Sequence, residues 1–270
     1  MKKKKKRGAF AVVALAAALW CGTGASWGMP DDNRPGIDPE AKKIIKALSE
    51  QSLQVQRVKI KVFDTIEEIL QSGQMVEYGH VRSAVISKPD KLWIESLGDR
   101  TNTTLWNDGR LFTLLDRDQN VYVQLDAAGT IEQAVDMIYE NYGISTPLAD
   151  MLSTDIYAVL MNRARTCRYL GLHHAGETIC HHIAATQDDI DWQIWIDQGS
   201  EPRLRKIVII YKQVPGSPRY TAVLAEYKEL DKVSEAAFAF QLPPGAEKIK
   251  PVSHKKVSGS RLKKAGSGGQ

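Results

Sequence analysis

Residues 178–186 read TICHHIAAT, and a second histidine pair, His173 and His174, lies a few positions upstream. A thiol beside imidazoles is the raw material of a nucleophile or a metal centre. A cysteine nucleophile needs an imidazole placed to take its proton. Neighbours on a strand point to opposite faces, so Cys180 diverges from His181, and His181 from His182. Zinc needs three or four convergent ligands, and the spacing offers at most a same-face pair of His182 with His173 or His174 across a hairpin. The chain holds no CxxC or HExxH spacing, and no GxSxG, SxxK or glycine-rich phosphate loop. Asp188, Asp189 and Asp191 form an acidic turn without the ligand number or bend glycine of a calcium loop. The expectation is no enzyme, no catalytic residue, no metal and no cofactor.

The tryptophans that follow suit a different chemistry. Period two places Trp192, Ile194 and Ile196 on one face of a strand, and Gln193, Trp195 and Asp197 on the other. The next run repeats the pattern, with Ile207, Ile209 and Tyr211 opposed by Val208 and Ile210. A sheet with one solvated face carries apolar residues on one side only. These strands are therefore covered on both sides, or covered on one and lining a cavity on the other. The candidate cavity residues on strands are Trp93, Leu105, Phe112, Tyr122, Trp192 and Ile194. Met137, Leu148 and Met151 join them from a helical stretch, because methionine adapts to irregular apolar shapes. A plain sheet core under helices would read the same way.

The elements that position these residues follow from pattern and punctuation. Asp38 and Pro39 open a helix whose Ile44, Ile45, Leu48 and Leu53 share a face. Strands follow at 55–70 and 74–87, joined through Ser72-Gly73. KLWIES, TTLWN, RLFTLLD and NVYVQLD come next, and Asp108-Gly109 between apolar runs marks a hairpin. Thr130 starts a helix that stops at Gly143, and TPLADMLS and DIYAVLMNR are two more short helices. Strands resume as TCRYLGLH, TICHHIAAT, DWQIWID, LRKIVIIYK and RYTAVLAEYKEL, with a Pro215–Pro218 turn before the last. FAFQLPPGAEKI reads as a short edge strand stopped by prolines. The fold class is α+β. It has a large curled antiparallel sheet, a half-open β-barrel of about 10–11 strands, with helices covering the concave face.

Compartment is written at the N-terminus. Five lysines and Arg7 precede an apolar run from Ala9 to Trp20, too short for the ~20 residues of a spanning helix. Small residues at Thr23-Gly24-Ala25 complete a secretory signal. Cys21 does not make it a lipoprotein signal, because bulky Trp20 stands where processing needs a small residue. The expected divisions are 1–25 signal peptide, 26–37 linker, 38–252 folded domain and 253–270 a basic Gly/Ser disordered tail. The expected location is the periplasm, or outside the cell, and not integral to the membrane. Between Ser26 and Val252 there are 25 basic and 32 acidic residues, a net of −7. That excludes the basic stripe of a nucleic-acid binder. Cys167 and Cys180 flank a hairpin and are disulfide candidates in an oxidising compartment. A turn near Ala175-Gly176 sets Cys180 nearer Gly171 than Cys167, so a bridge and two separate thiols both stay open.

Several stretches carry a resemblance: PDKLWIESLGD, LWNDGRLFTLLD, NVYVQLDAAGTIEQAVDMIYENYGISTPLADMLSTD, CHHIAATQDDIDWQIWIDQGSEPRLRKIVIIYK and PGSPRYTAVL. From Asp38 to Val252 the chain resembles an uncharacterised family of predicted periplasmic proteins, a domain of unknown function. That family is similar to the lipoprotein-carrier superfamily of LolA/LolB-like fold. The resemblance implies a half-open barrel lidded by helices, and a partner that is a lipid, lipoprotein or other hydrophobic ligand. The alternative on the same scaffold is an envelope-stress sensor or protein-interaction module without lipid cargo, with an envelope protein as partner. Carriers of this kind close their cavity with an arginine, for which Arg57, Arg82 and Arg100 are the candidates here.

Overall fold

The computed structural model describes residues 35–142, 151 and 153–251. The expected signal peptide, most of the linker, most of the helix expected at TPLADMLS, and the basic tail lie outside the described residues.

Helix α1 (Pro39–Gln54) begins where the Asp38 carboxylate accepts the Glu40 amide at 2.8 Å, filling one of the vacant amides of the first turn. It buries Ala41, Ile44, Ile45 and Leu48 on one face. Six strands follow: β1 (Arg57–Ile69), β2 (Met75–Ser87), β3 (Lys91–Gly98), β4 (Asn102–Asp108), β5 (Leu111–Asp116) and β6 (Val121–Asp126). Helix α2 (Ile131–Tyr142) opens with a reciprocal cap: the Gln133 amide donates to Thr130 Oγ1, and the Thr130 amide to Gln133 Oε1. Helix α3 (Ile156–Met161) is capped by Asp155. Strands β7 (Thr166–Ala175), β8 (Thr178–Thr186), β9 (Ile190–Asp197), β10 (Leu204–Tyr211) and β11 (Arg219–Glu229) complete the second group. A two-residue strand β12 (Glu247–Lys248) comes last. Among the described residues no helix is long and apolar enough to cross a membrane.

Among the described residues twelve strands form one open sheet, in the order β12-β6-β5-β4-β3-β2-β1-β11-β10-β9-β8-β7. Every pairing is antiparallel except β12 with β6. The expected α+β sheet is therefore present, with one more strand than the sequence suggests. Its inner face can be followed from pair to pair. Ile183, Ile194, Ile207 and Ala222 stand in one row across β8 to β11. Val58, Ile86 and Leu92 do the same across β1 to β3. Helices α1 and α3 pack on the first half of this face, and α2 on the second.

The C-terminal end departs from expectation. FAFQL is not a strand. A single 3₁₀ turn at Glu235–Ala237 leads Phe238 into a fully buried position. Phe240 lies on the outer face, edge-on to Trp106 at 5.2 Å and 4.9 Å from Tyr122. Burying two aromatic rings outweighs a ladder that Pro243 and Pro244 would cut short. Pairing resumes only beyond the prolines, as β12.

The inner row is interrupted by charge. Ala222 pairs with Asp64, and Asp64 with His80. The Asp64 carboxylate is buried and accepts Arg82 Nε at 2.7 Å and Nη2 at 3.1 Å; Arg82 Nη1 donates to Ser96 Oγ at 2.9 Å. His80 Nδ1 stands 3.4 Å from the same carboxylate. Burial acts to raise the Asp64 pKa, but the hydrogen bonds from His80 and Arg82 and the guanidinium charge outweigh it and hold the pKa low. A carboxylate with a depressed folded pKa contributes stability above its unfolded value, ~3.9, and loses it as pH falls through the folded value. Asp64→Asn strands a half-buried guanidinium, so equilibrium urea unfolding at pH 7 is expected to show a loss of about 3–5 kcal/mol. The loss relative to wild type should shrink as pH is lowered below ~4.

Candidate ligand-binding hollow

A hollow of about 180 Å³ lies between α1 and the middle of the sheet. Leu48 and Val55 of the α1 segment form its roof, with Met151 and Ile156 beside them. Val58, Ile60 and Val62 of β1 and Ile86 of β2 form one wall. Leu204 and Ile207 of β10, with Ala222, Leu224 and Tyr227 of β11, form the other. Val62, Ile207 and Ala222 are buried at its deep end. Gln51, Ser52, Lys88, Arg203 and Arg205 also line it and are half-exposed. They come from the end of α1, the residue after β2 and the start of β10, which register places at one end of the sheet. The mouth is polar and the interior aliphatic.

Two β-bulges shape the walls. Between β1 and β11, Ile60 pairs with Tyr227 and Val62 with Leu224, leaving Ala225 as an extra residue. Between β9 and β10, Ile196 pairs with Leu204 and Ile194 with Ile207, leaving Arg205 extra beside Lys206. Each bulge spaces two inward side chains three residues apart rather than two, and bends its strand. Leu224 and Tyr227 therefore both face the hollow, as do Leu204 and Ile207. Sequence patterning did not identify these residues. The available signal was an apolar step of three, from 204 to 207 and from 224 to 227, in strands otherwise of period two.

Of the cavity residues expected from sequence, Met151 lines the hollow. Trp192 and Ile194 are fully buried on the inner face, packed in the core under α1 and α3, one strand away from the hollow's wall. Leu105, Phe112 and Met137 pack with α2 in the other half of the inner face. Trp93 and Tyr122 face outward: Trp93 pairs with Trp106, and Tyr122 lies under Phe240. Alternation along β3 and β6 fixes this, since Leu92 and Val123 take the inward positions. Leu148 lies outside the described residues. Of the three arginines, Arg82 is on the inner face bound to Asp64. Arg57 donates to the Asp231 carbonyl, and Arg100 lies 5.0 Å over the Tyr78 ring.

Apolar bulk on both faces has its cause on the outer side. Trp195 lies under the His182 ring, stacked at 4.0 Å, and Lys206 Nζ stands 4.7 Å from its centroid. His182 Nδ1 is 2.9 Å from His173 Nδ1, and its Nε2 is 3.1 Å from Gln193 Oε1. Burial lowers the His182 pKa; the Gln193 bond opposes this, and the charges of His173 and Lys206 reinforce it. His181 points the other way, to Tyr169 at 3.0 Å. Among the described residues no three histidine, cysteine or acidic side chains converge as metal ligands.

The two cysteines do not bridge. Cys167 pairs with Ala185 on the inner face, whereas Cys180 pairs with His173 and packs against Ala175 and Trp195 on the outer face. Thiols on opposite faces, five residues apart along β8, cannot meet the ~3.8 Å Cβ separation of a disulfide. Burial pushes the Cys180 thiol up to about 11, and the Asp197 charge adds to it, the reverse of an activated nucleophile.

Residues 41–251 match the family model described as "Predicted periplasmic protein (DUF2092)". A comparison with curated proteins finds no match. Among solved structures, an uncharacterised conserved protein from Thermus thermophilus is similar over 78% of this chain and 98% of its own. Its identity is 11% and its TM-score 0.45. The lipoprotein LppX of Mycobacterium tuberculosis is similar over 73% of this chain and 100% of its own, at 12% identity and TM-score 0.43. A LolA superfamily protein from Nitrosomonas europaea is similar over 74% and 97%, at 9% identity and TM-score 0.33. Values this low carry no function across.

The register makes a direct prediction for the chain without residues 1–25. Titration with Ellman's reagent, without reductant, is expected to find two thiols per unfolded chain. Labelling of the native protein at pH 8 should be slow, because both sulfurs are buried. An unfolded chain with no titratable thiol would contradict the register.

Proposed function

The chain belongs to the DUF2092 family of predicted periplasmic proteins, and we propose that it is a non-enzymatic binding protein that shelters the apolar chain of a ligand in the hollow beneath α1. Residues 1–25 direct its export to the periplasm and are removed. The observation that carries the reading is a cavity of about 180 Å³ whose interior is walled by aliphatic side chains. Such a space exceeds the ~150 Å³ that accepts benzene in a dry apolar cavity. It falls short of the ~300–1,000 Å³ of drug-sized sites, so it takes a segment of one apolar chain rather than a multi-chain lipid. Each methylene withdrawn from water contributes about 0.8 kcal/mol. Among the described residues no carboxylate or histidine lines the space.

The test is to fill the hollow. Ala222→Leu and Leu224→Trp place bulk at its deep end and on its wall. Fluorescence titration with 1-aminoanthracene, an uncharged dye, should give micromolar binding to wild type. Each variant is expected to weaken it about tenfold or more, with Leu224→Trp the less disruptive to the fold because Leu224 is only partly buried. Undiminished dye binding in both variants would remove the hollow as the site. Protein purified from periplasm with one stoichiometric protein partner and no lipid would replace this reading with that of an interaction module.

A further inference from the structure

We infer that the hollow takes a single-chain amphiphile with an anionic headgroup, a carboxylate or a phosphate, and that Lys88 receives that headgroup. This rests on the proposed apolar-chain function and names the ligand's other end.

The first observation is the sign of the charge at the mouth. Among the described residues the lining contains four cationic side chains, Lys88, Arg203, Arg205 and Lys206, and no acidic one, in a domain whose balance is −7. Three of the four are engaged elsewhere. Arg203 is held by Glu201 at 2.8 Å and Glu229 at 3.4 Å, and lies 4.4 Å over the Tyr227 ring. Arg205 Nε donates to Asp197 at 2.6 Å. Lys206 directs its ammonium outward, over Trp195.

Lys88 differs. Its ammonium donates to the Ser52 carbonyl at 2.7 Å, on the last turn of α1 and at the rim of the hollow. Among the described residues no carboxylate lies within ion-pair reach of it. Burial alone depresses its pKa. A half-buried ammonium with one neutral acceptor has two donors left and an uncompensated desolvation cost. An anion seated at the mouth would answer both, with charge-assisted hydrogen bonds stronger than neutral ones. The Ser52 contact also satisfies an end carbonyl of α1. That contact holds the lysine stem over Ile86 and the hollow rather than letting it reach into water.

The geometry separates chain from head. Aliphatic side chains occupy the deep end at Val62, Ile207 and Ala222, and Lys88 stands at the opposite end beside Gln51. A fatty acid and a lysophospholipid both present one chain and one anionic group in that order.

The experiment is displacement of 1-aminoanthracene from the mature protein by palmitate, 1-palmitoyl lysophosphatidate, hexadecanol and inorganic phosphate. Palmitate or lysophosphatidate is expected to displace the dye at a concentration about tenfold or more below that of hexadecanol. Whichever does so identifies carboxylate or phosphate as the preferred head. Phosphate alone should displace nothing. Lys88→Met should bring the anion's advantage over hexadecanol below about twofold, with a circular-dichroism spectrum matching wild type to show that the variant is folded. Lys88→Arg should restore it. Equal displacement by hexadecanol and both anions in wild type, or an anion preference that survives in Lys88→Met, overturns the assignment of Lys88 and leaves the apolar hollow standing. Failure of every chain-bearing compound, hexadecanol included, to displace the dye overturns the apolar-chain reading and this inference with it.

Discussion

Side-chain alternation has to stay in phase across twelve paired strands, because a slip of one residue would turn a buried row to solvent. The pairing keeps that phase from β8 through β6, and the helices can therefore all lie on one face. Two strands carry it past an extra residue. At Ala225 and Arg205 the ladder is broken, the strands bend, and inward side chains recur after three residues instead of two. The hollow sits against these two irregularities. A regular ladder there would bring α1 down on a flat aliphatic surface and close the space with packing at core density. The void is thus a consequence of register, and α1 is the element that covers it.

The remaining surfaces of the sheet are closed by different means. On the inner face the apolar row ends at Asp64, and its ion pair with Arg82, which in turn donates to Ser96, lies between the core under α1 and α3 and the core under α2. On the outer face at one end, Phe240 supplies cover from the C-terminal segment. At the other end, His182 and Lys206 shield Trp195. Charge is satisfied locally almost everywhere along the mouth. Among the described residues Lys88 is the exception at the mouth, which gives the hollow a polarity as well as a shape.

Much of this was legible in the sequence. Asp38 and Thr130 mark the helix starts where they occur. Alternation in 191–197 gave the two faces of β9 correctly, and the same period of two in 178–186 gave the divergence of His181 and His182. The cavity residues were not legible to the same degree. Large aromatics such as Trp93 and Trp192 attract attention because they bury the most surface, but a ring that buries fully fills space rather than leaving it. The walls of the hollow are Val, Ile, Leu and Ala, residues no different in type from the core around them. Only the step of three at 204–207 and 224–227 distinguished two of those strands. The fate of FAFQL was illegible for another reason: a partner on the outer face, Trp106 with Tyr122, is distant in sequence, and no local pattern encodes it. The cysteine register depends on the turn at Gly176 and on a bulge in β7, where Tyr169 pairs with Ile183 and Gly171 with His182, leaving Leu170 extra.

The central claim is that an apolar chain occupies the space between α1 and the bulged strands. Crystals grown with 16-bromohexadecanoic acid test it most directly, since bromine at the chain's far end gives an anomalous signal. The account predicts a peak at the deep end, within van der Waals reach of Val62, Ile207 and Ala222. A peak elsewhere, or a hollow filled by the protein's own side chains with the acid present in excess, would contradict it.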